Sequence, residues 1–280
     1  MPIDYLKKIH LGEFNETGYR ISPSEAMASV IEGFYVFSPD TKPERQLVFN
    51  DGFPVLVFLS DYGDSINVSG QTNHKQIKAV WASAGSIKNV HVEYSAAARQ
   101  IFVARFLPGT FYRLFGLNAQ FFRHNPVAPF IPIARSNNFS VRDFFKCHDI
   151  ESKITFIETY VSNSSAIKIS PGLLHQTLNF ILDKKGSSNV RNITDDAGVN
   201  YKWLERSFAK NIGLLPKEFI QLQRFFQAYL ELVGDRNVDL MHIALANGYY
   251  DANHFSKDFK VYTGKSPIEY LRSQSPAFNS

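Results

Sequence analysis

The chain is almost without cysteine. Of 280 residues only Cys147 carries a thiol, so no disulfide can form within the chain and a metal site built on several thiolates is excluded. Such usage fits a reducing compartment, and the expected location is cytoplasmic. Long apolar runs are missing too. The most continuous stretch runs from Phe53 to Leu59. It is far too short to span a bilayer and reads as a buried strand. The opening residues, Met1 to Lys8, lack the apolar core of a signal peptide, so no membrane association is expected. An excess of one charge is also absent. The net charge is +4, and it divides evenly: 17 Lys and Arg less 15 Asp and Glu in residues 1–170, 13 less 11 in residues 171–280. Charge alone points neither to nor away from nucleic acid.

Motifs for catalysis and metals are equally scarce. There is no glycine-rich phosphate loop of recognised spacing, no His-x-His pair and no His-Glu-x-x-His helix. His74, His91 and His124 are spread through the first half, where His91-Val92-Glu93 could put two ligands on one strand face. Cys147 sits beside His148 and Asp149, but catalytic groups converge in space rather than in sequence. No catalytic residue, no metal and no cofactor is expected, and the chain does not read as an enzyme. Arg99, Arg105 and Arg113 flank the Arg105-Phe106-Leu107-Pro108-Gly109 segment. One of them turned into a barrel could meet an acidic ligand; the ordinary alternative is an outer-face arginine whose stem covers apolar surface.

What is present is a well-supplied core. Apolar residues make up 44% and aromatics 14%, with 25 phenylalanines, which argues against extensive disorder. The length suggests two domains. The first half reads mainly as strands: Arg45 to Leu59 with breaks, Ser65 to Ser69, Gln76 to Ala82, His91 to Tyr94, and Gln100 to Leu107 closed by Pro108-Gly109. Helices are expected around Pro23–Ile31 and Phe111–Leu117. Val141–Cys147 and Asp149–Val161 read as helices with an apolar stripe that needs a partner surface, which would suit a homodimer interface. From Pro171 to Tyr270 the pattern is helix after helix, with Asn163-Ser164-Ser165 as a break. The expected class is therefore α+β and multidomain: a β-rich barrel or sandwich (cupin-like in one form) over residues 1–145, a helical linker over 146–169, and an all-α domain over 170–280.

The strongest signal is an internal repeat. Leu204, Phe208, Gly213, Pro216 and Phe219 match Phe255, Phe259, Gly264, Pro267 and Tyr270 at a constant offset of 51 residues. Upstream, Val190, Ile193, Thr194, Gly198 and Val199 match Leu240, Ile243, Ala244, Gly248 and Tyr249 at an offset of 50. The slip of one falls inside a turn. Each copy makes physical sense as helix, turn, helix. Val190 with Ile193, and Leu240 with Ile243, share a helical face. Gly198 and Gly248 permit a tight turn. Asn200 and Asp251 are placed to cap the next helix. Leu204 with Phe208, and Phe255 with Phe259, point inward at i,i+4. Gly213 and Gly264 end those helices, and Pro216 and Pro267 begin the following ones. A rigid helix from Pro216 to Leu232 would join the two units.

At these residues, across about 171–272, the sequence resembles the AraC/XylS family of bacterial transcriptional regulators. The second copy matches more sharply, with Ile243-Ala244, Gly248-Tyr249, Phe255, Phe259-Lys260, Gly264, Pro267 and Tyr270-Leu271-Arg272. The first departs at Thr194, where the family favours alanine. The first half is similar, more weakly, to a domain of uncharacterised function that precedes such modules, through Asn50-Asp51-Gly52-Phe53 and Val103-Ala104-Arg105-Phe106-Leu107-Pro108-Gly109. The resemblance implies a β-rich half that senses an effector or dimerises, a double-stranded DNA partner, contact with RNA polymerase, and activation as the usual mode.

In a helix-turn-helix the second helix lies in the major groove and its outward residues reach the bases. The expected DNA-facing set is Tyr201, Lys202, Glu205, Arg206 and Lys210 in the first unit, and Ala252, Asn253, His254, Ser256, Lys257 and Lys260 in the second. Arg206 suits guanine, Asn253 adenine, and Glu205 the cytosine amino group; Lys210 suits a phosphate. Trp203 reads as core packing. Two other readings stay open: a β-barrel enzyme or metal-binding protein with a helical targeting domain, and a protein-interaction regulator that no longer binds DNA.

Overall fold

In the computed structural model, residues 1–12, 14, 18–38, 45–70, 74–94, 100–164, 172–234 and 239–274 are described. A first helix α1 (Ile3–Leu11) leads to ten strands: β1 (Gly18–Ile21), β2 (Ile31–Phe37), β3 (Gln46–Val48), β4 (Val55–Phe58), β5 (Ser65–Ser69), β6 (His74–Lys78), β7 (Val80–Ser83), β8 (Val90–Tyr94), β9 (Ile101–Phe106) and β10 (Val127–Pro129). The short helices α2 (Thr110–Leu114) and α3 (Phe121–His124) precede β10. After it come α4 (Phe130–Ser136), α5 (Val141–Lys146) and α6 (Ile150–Ser162). The helical half holds α7 (Leu173–Asp183), α8 (Val190–Ala197), α9 (Tyr201–Asn211), α10 (Pro216–Gly234), α11 (Leu240–Ala246), α12 (Ala252–Thr263) and α13 (Pro267–Gln274).

The strands form two sheets, ordered β1-β2-β9-β4-β7-β10 and β3-β8-β5-β6. The β-rich half followed by helices is the expected class. Successive residues of a strand face opposite sides, and the central strands of the larger sheet, β2, β9, β4 and β7, are buried on both. Tyr35, Phe37, Val57 and Val103 face a core shared with the smaller sheet, while Phe34, Val36, Phe58 and Phe102 face a second core. This double burial is why Val55-Leu56-Val57-Phe58 is an unbroken apolar run and not an alternating one.

The second core is closed by α2 to α6. Phe144 of α5 stacks on Phe58 with centroids 3.8 Å apart, and Ile157 and Val161 of α6 are buried in the same cluster. The apolar stripe of Val141–Val161 thus finds its partner surface inside the chain. Asp149 caps α6 with a capping box, its carboxylate accepting from the Ser152 amide at 2.7 Å.

Two sequence expectations are corrected. Pro23–Ile31 is not a helix: only a single 3-10 turn forms at Glu25–Met27, and Ile31 already begins β2, paired with Phe106 of β9. The apolar spacing Met27, Val30, Ile31 suits a helix locally, but long-range pairing wins. Gln76–Ala82 falls into two strands in different sheets, β6 and β7, whereas Arg45–Leu59 breaks as expected, into β3 and β4 at the Asn50-Asp51-Gly52 turn. The turn is held by the Gly52 amide donating to Asn50 Oδ1 at 2.9 Å, with Gly52 at φ +97°.

That turn also joins the two halves. A Cβ on Gly52 would sit 2.3 Å from Cε2 of Phe219 on α10. Beside it, Gln223 Nε2 donates to the Asp51 carbonyl. Phe226 stacks on Phe49 at 5.4 Å, and the His10 ring meets Phe226 edge-on at 4.8 Å. Further along, the Asn89 amide donates to the Tyr262 carbonyl at 2.8 Å. Phe219, Gln223 and Phe226 lie at i, i+4 and i+7, one stripe of α10. The linker helix of the helical half is therefore docked along one face against the β-rich half.

Beneath the seam lies a buried charge cluster. Arg105 projects inward from β9, ion-paired with Asp51 and, at 3.2 Å, with Glu32. Its guanidinium covers the Phe53 ring at 4.0 Å. His10 Nε2 lies 2.7 Å from the same Asp51 carboxylate. Burial would raise the Asp51 carboxyl, but Arg105 and then His10 outweigh it and hold it well below the usual carboxylate range. Of the three arginines considered from sequence, Arg105 points inward but meets the protein's own carboxylates. Arg113 is exposed, and Arg99 lies outside the described residues.

Candidate nucleic-acid interface

Each helix-turn-helix copy is built as its sequence requires. In the first, Asn189 caps α8 and Asn200 caps α9, its side chain accepting from the Trp203 amide at 2.9 Å. Gly198 turns the chain between them at φ +62°. In the second, Asp239 caps α11, Asp251 caps α12 by accepting from the His254 amide at 2.7 Å, and Gly248 turns at φ +74°. Each cap satisfies backbone donors that the helix leaves open. Thr194, the departure in the first copy, spends its hydroxyl on the Arg191 carbonyl of its own helix at 2.8 Å. The helix crossing therefore meets no unsatisfied polar group there.

The inward faces fix which side of α9 and α12 is left outside. Leu204, Phe208, Phe255 and Phe259 are fully buried. Phe208 packs edge-on against Phe219 at 5.7 Å, and Phe259 lies 5.6 Å from Phe225, so both units rest on α10. Trp203 is partly buried against the same core. On α9 the exposed positions are Tyr201, Lys202, Arg206 and Lys210, with Glu205 half-buried. Tyr201 donates from its hydroxyl to Glu205 Oε1 at 3.5 Å, one turn along. On α12 Asn253, His254, Lys257 and Lys260 are exposed, and Ala252 and Ser256 are half-buried. All eleven sequence-chosen positions lie exposed or half-buried on these two helices, though His254 turns aside to meet the Tyr249 ring edge-on at 5.3 Å. Lys202, Arg206 and Lys210 form a single i,i+4 stripe, and Asn253 and Lys257 form another. Among the described residues none of these lysines or Arg206 is engaged in an ion pair, so their donors are free to meet phosphate or base edges.

Two family models match the chain. Residues 193–273 match "Helix-turn-helix domain", and residues 19–128 match "Domain of unknown function (DUF6597)". The chain carries an AraC-type helix-turn-helix domain. With that domain it is a DNA-binding transcriptional regulator. Among solved structures, ToxT from Vibrio cholerae is similar over 91% of this chain and 96% of its own, at 14% identity and a TM-score of 0.45. ToxT of strain O395 is similar over the same shares at 16% identity and 0.45. The AraC-like transcriptional activator CuxR is similar over 77% of this chain and 88% of its own, at 12% identity and a TM-score of 0.23. No curated protein matches the chain.

The matched stretch runs from Ile193 within α8 to Ser273 of α13, with α10 as its axis. Among the described residues no helix is long and apolar enough to cross a membrane. The histidines considered as ligands are separated. His74 and His91 both pair with Ser69, from opposite sides of β5, which puts them two strand spacings or about 10 Å apart. His124 ends α3. Burial, with Arg45 and Lys265 close by, pushes the His91 imidazole down to about 4. Cys147 ends α5, its thiol directed at the Asp143 carbonyl at 3.6 Å.

Sequence reasoning treated α10 as a spacer and missed that its faces differ. Phe219, Gln223 and Phe226 face the β-rich half, and Lys217, Gln221 and Arg224 lie about half a turn away. The signal was in the sequence, as a polar i, i+4, i+7 series set two residues before a mostly apolar one. It could be assigned only once the covering partner of the apolar series was known.

Proposed function

We propose that this regulator reads a specific DNA site of two unlike elements, one for each helix-turn-helix unit. The reading residues are Tyr201, Lys202, Glu205, Arg206 and Lys210 on α9, and Ala252, Asn253, His254, Ser256, Lys257 and Lys260 on α12. The observation that carries this is the pair of outward faces. Two capped helices with buried inner faces rest on one continuous helix, and both present cations that have no ion-pair partner among the described residues. At 19 residues α10 is about 28 Å long. That length suits units placed on successive major-groove faces about 34 Å apart.

Arg206 is assigned to guanine and Asn253 to adenine by their bidentate geometry. Lys202, Lys210, Lys257 and Lys260 serve base edges or phosphates. Glu205, held by Tyr201, selects for cytosine or against other bases. The working division is a β-rich unit over 1–145, a helical connection over 146–169 and the DNA-binding unit over 170–280. Activation through RNA polymerase is the mode implied by the family resemblance. Effector control has a place to act: Arg113 and His175 line a cavity of about 130 Å³ between the Leu107-Pro108-Gly109 turn and α7, where a small ligand would bear on both halves. The stripe that suggested a dimer is used within the chain, so one chain suffices for the two-element reading.

The test is DNA binding by Arg206→Ala and by Lys257→Ala at fixed salt. Each loses affinity by about 1–3 kcal/mol on the cognate element. Base preference relaxes in one element only. Unchanged binding in both variants would remove the assignment and leave a regulator that works by protein contact.

A further inference from the structure

Between the two helix-turn-helix units runs a groove of about 410 Å³ to which His254 is the one reading residue that contributes. Its floor is the face of α10 turned away from the β-rich half, with Lys217, Gln221 and Arg224. Asn189 at the start of α8 forms one side, and His254 and Asp258 of α12 form the other. Lys217 is exposed. Arg224 is fixed in place: its guanidinium lies 5.6 Å over the Tyr249 ring, and Nη2 donates to the Gly186 carbonyl at 3.5 Å. Its Nε is buried without a hydrogen-bond partner among the described residues. The carboxylate of Asp258 is taken up by Gln221, whose Nε2 donates to both oxygens at 3.0 Å. The two cations therefore exceed the one acid, and the groove is net positive.

We propose that this groove is a phosphate site for the DNA backbone that crosses from one reading helix to the other, with Lys217 and Arg224 as the contacting cations. The proposal rests on the two-element reading given above. A duplex read by both α9 and α12 turns its minor groove towards the middle of the domain. What faces it there is the open side of α10, since the other side is closed by the seam with the β-rich half. The low net charge makes such placement matter. Phosphate affinity has to come from a few well-positioned cations, because the overall field contributes little. Lys217 and Arg224 act as positioning residues. They fix the register of the two reading helices on one duplex and carry no base information.

The experiment is a salt titration of binding by the full chain, from 50 to 200 mM, on its selected site and on an unrelated duplex. Lys217→Ala is compared with wild type, with Lys217→Arg as the conservative variant and Lys217→Ala/Arg224→Gln as the double. Each cation withdrawn from a phosphate lowers the slope of log affinity against log salt by about 0.9, so the fall in affinity across that range becomes about 3.5-fold shallower per cation removed. Lys217→Ala should show this on both duplexes with base preferences intact, Lys217→Arg should restore the slope, and the double should show about twice the change in slope. An unchanged slope in Lys217→Ala overturns the proposal while leaving the two-element reading standing, whatever the double does through the packing of Arg224 on Tyr249. A wild-type chain that selects no two-element site overturns both.

Discussion

A single methyl group placed on Gly52 should loosen the seam between the halves. Gly52 sits at φ +97°, where a side chain costs about 1–2 kcal/mol. The added Cβ would also stand 2.3 Å from Cε2 and 3.0 Å from Cζ of Phe219. That ring is fully buried between Phe208 and the turn, and overpacking of such a site costs about 1–3 kcal/mol more. Gly52→Ala should therefore destabilise by about 2–5 kcal/mol. Gly198→Ala is the control: its φ is +62° but nothing lies within 4 Å of the added carbon, so only the backbone cost of about 1–2 kcal/mol applies. Urea unfolding can be followed by the two tryptophans, Trp81 in the β-rich half and Trp203 on α9, each observed alone after Phe replacement of the other. The Gly52 substitution should shift both reports. In a Phe219→Leu background its cost should shrink by about 1–3 kcal/mol, because the clashing ring atoms are gone. If Gly52→Ala costs no more than Gly198→Ala, or if its cost is unchanged in the Phe219→Leu background, the contact drawn between turn and linker helix is wrong.

Other consequences follow from buried charge. Arg105→Met removes the main partner of the buried Asp51 carboxylate and leaves it only His10, and should cost about 3–5 kcal/mol in the transition reported by Trp81; a cost under about 1 kcal/mol would show that the cluster is not paired as described. His91 titrates near 4 when folded and near 6.5 when unfolded. The unfolded chain therefore binds the extra proton first as pH falls. Stability from this group is complete above about 6.5 and is lost progressively towards about 4. Melting at pH 7 and pH 5 should show a drop in wild type that is smaller in His91→Gln, and equal drops in the two proteins would refute the assignment.

Local physics made the helical half readable. The 51-residue offset, the polar cap before each reading helix and the glycine in each turn are short-range features, and each forms as its own segment dictates. Asn200 and Asp251 cap where their spacing said they should, and Thr194 finds its bond within its own helix. The β-rich half was legible only as a texture of strands and turns. That β2 lies between β1 and β9, or that Val48 and Val55 belong to different sheets, depends on pairings across dozens of residues. Pro23–Ile31 shows the limit: its apolar spacing fits a helix, and only the distant β9 makes Ile31 a strand residue. The seam was hidden for the same reason. Phe219 stands out in the sequence only as a repeat position, and nothing near it says that the Gly52 turn packs against it or that Phe49 packs against Phe226.

Selection of bound sequences from a random duplex pool, run side by side for wild type and Arg206→Ala at one moderate salt concentration, tests the two-element reading most directly. Wild type should enrich a site with two unlike elements about one helical turn, roughly 34 Å, apart, and Arg206→Ala should keep one element while base preference relaxes in the other. Enrichment of a single element, or of the same two elements by both proteins, would contradict it.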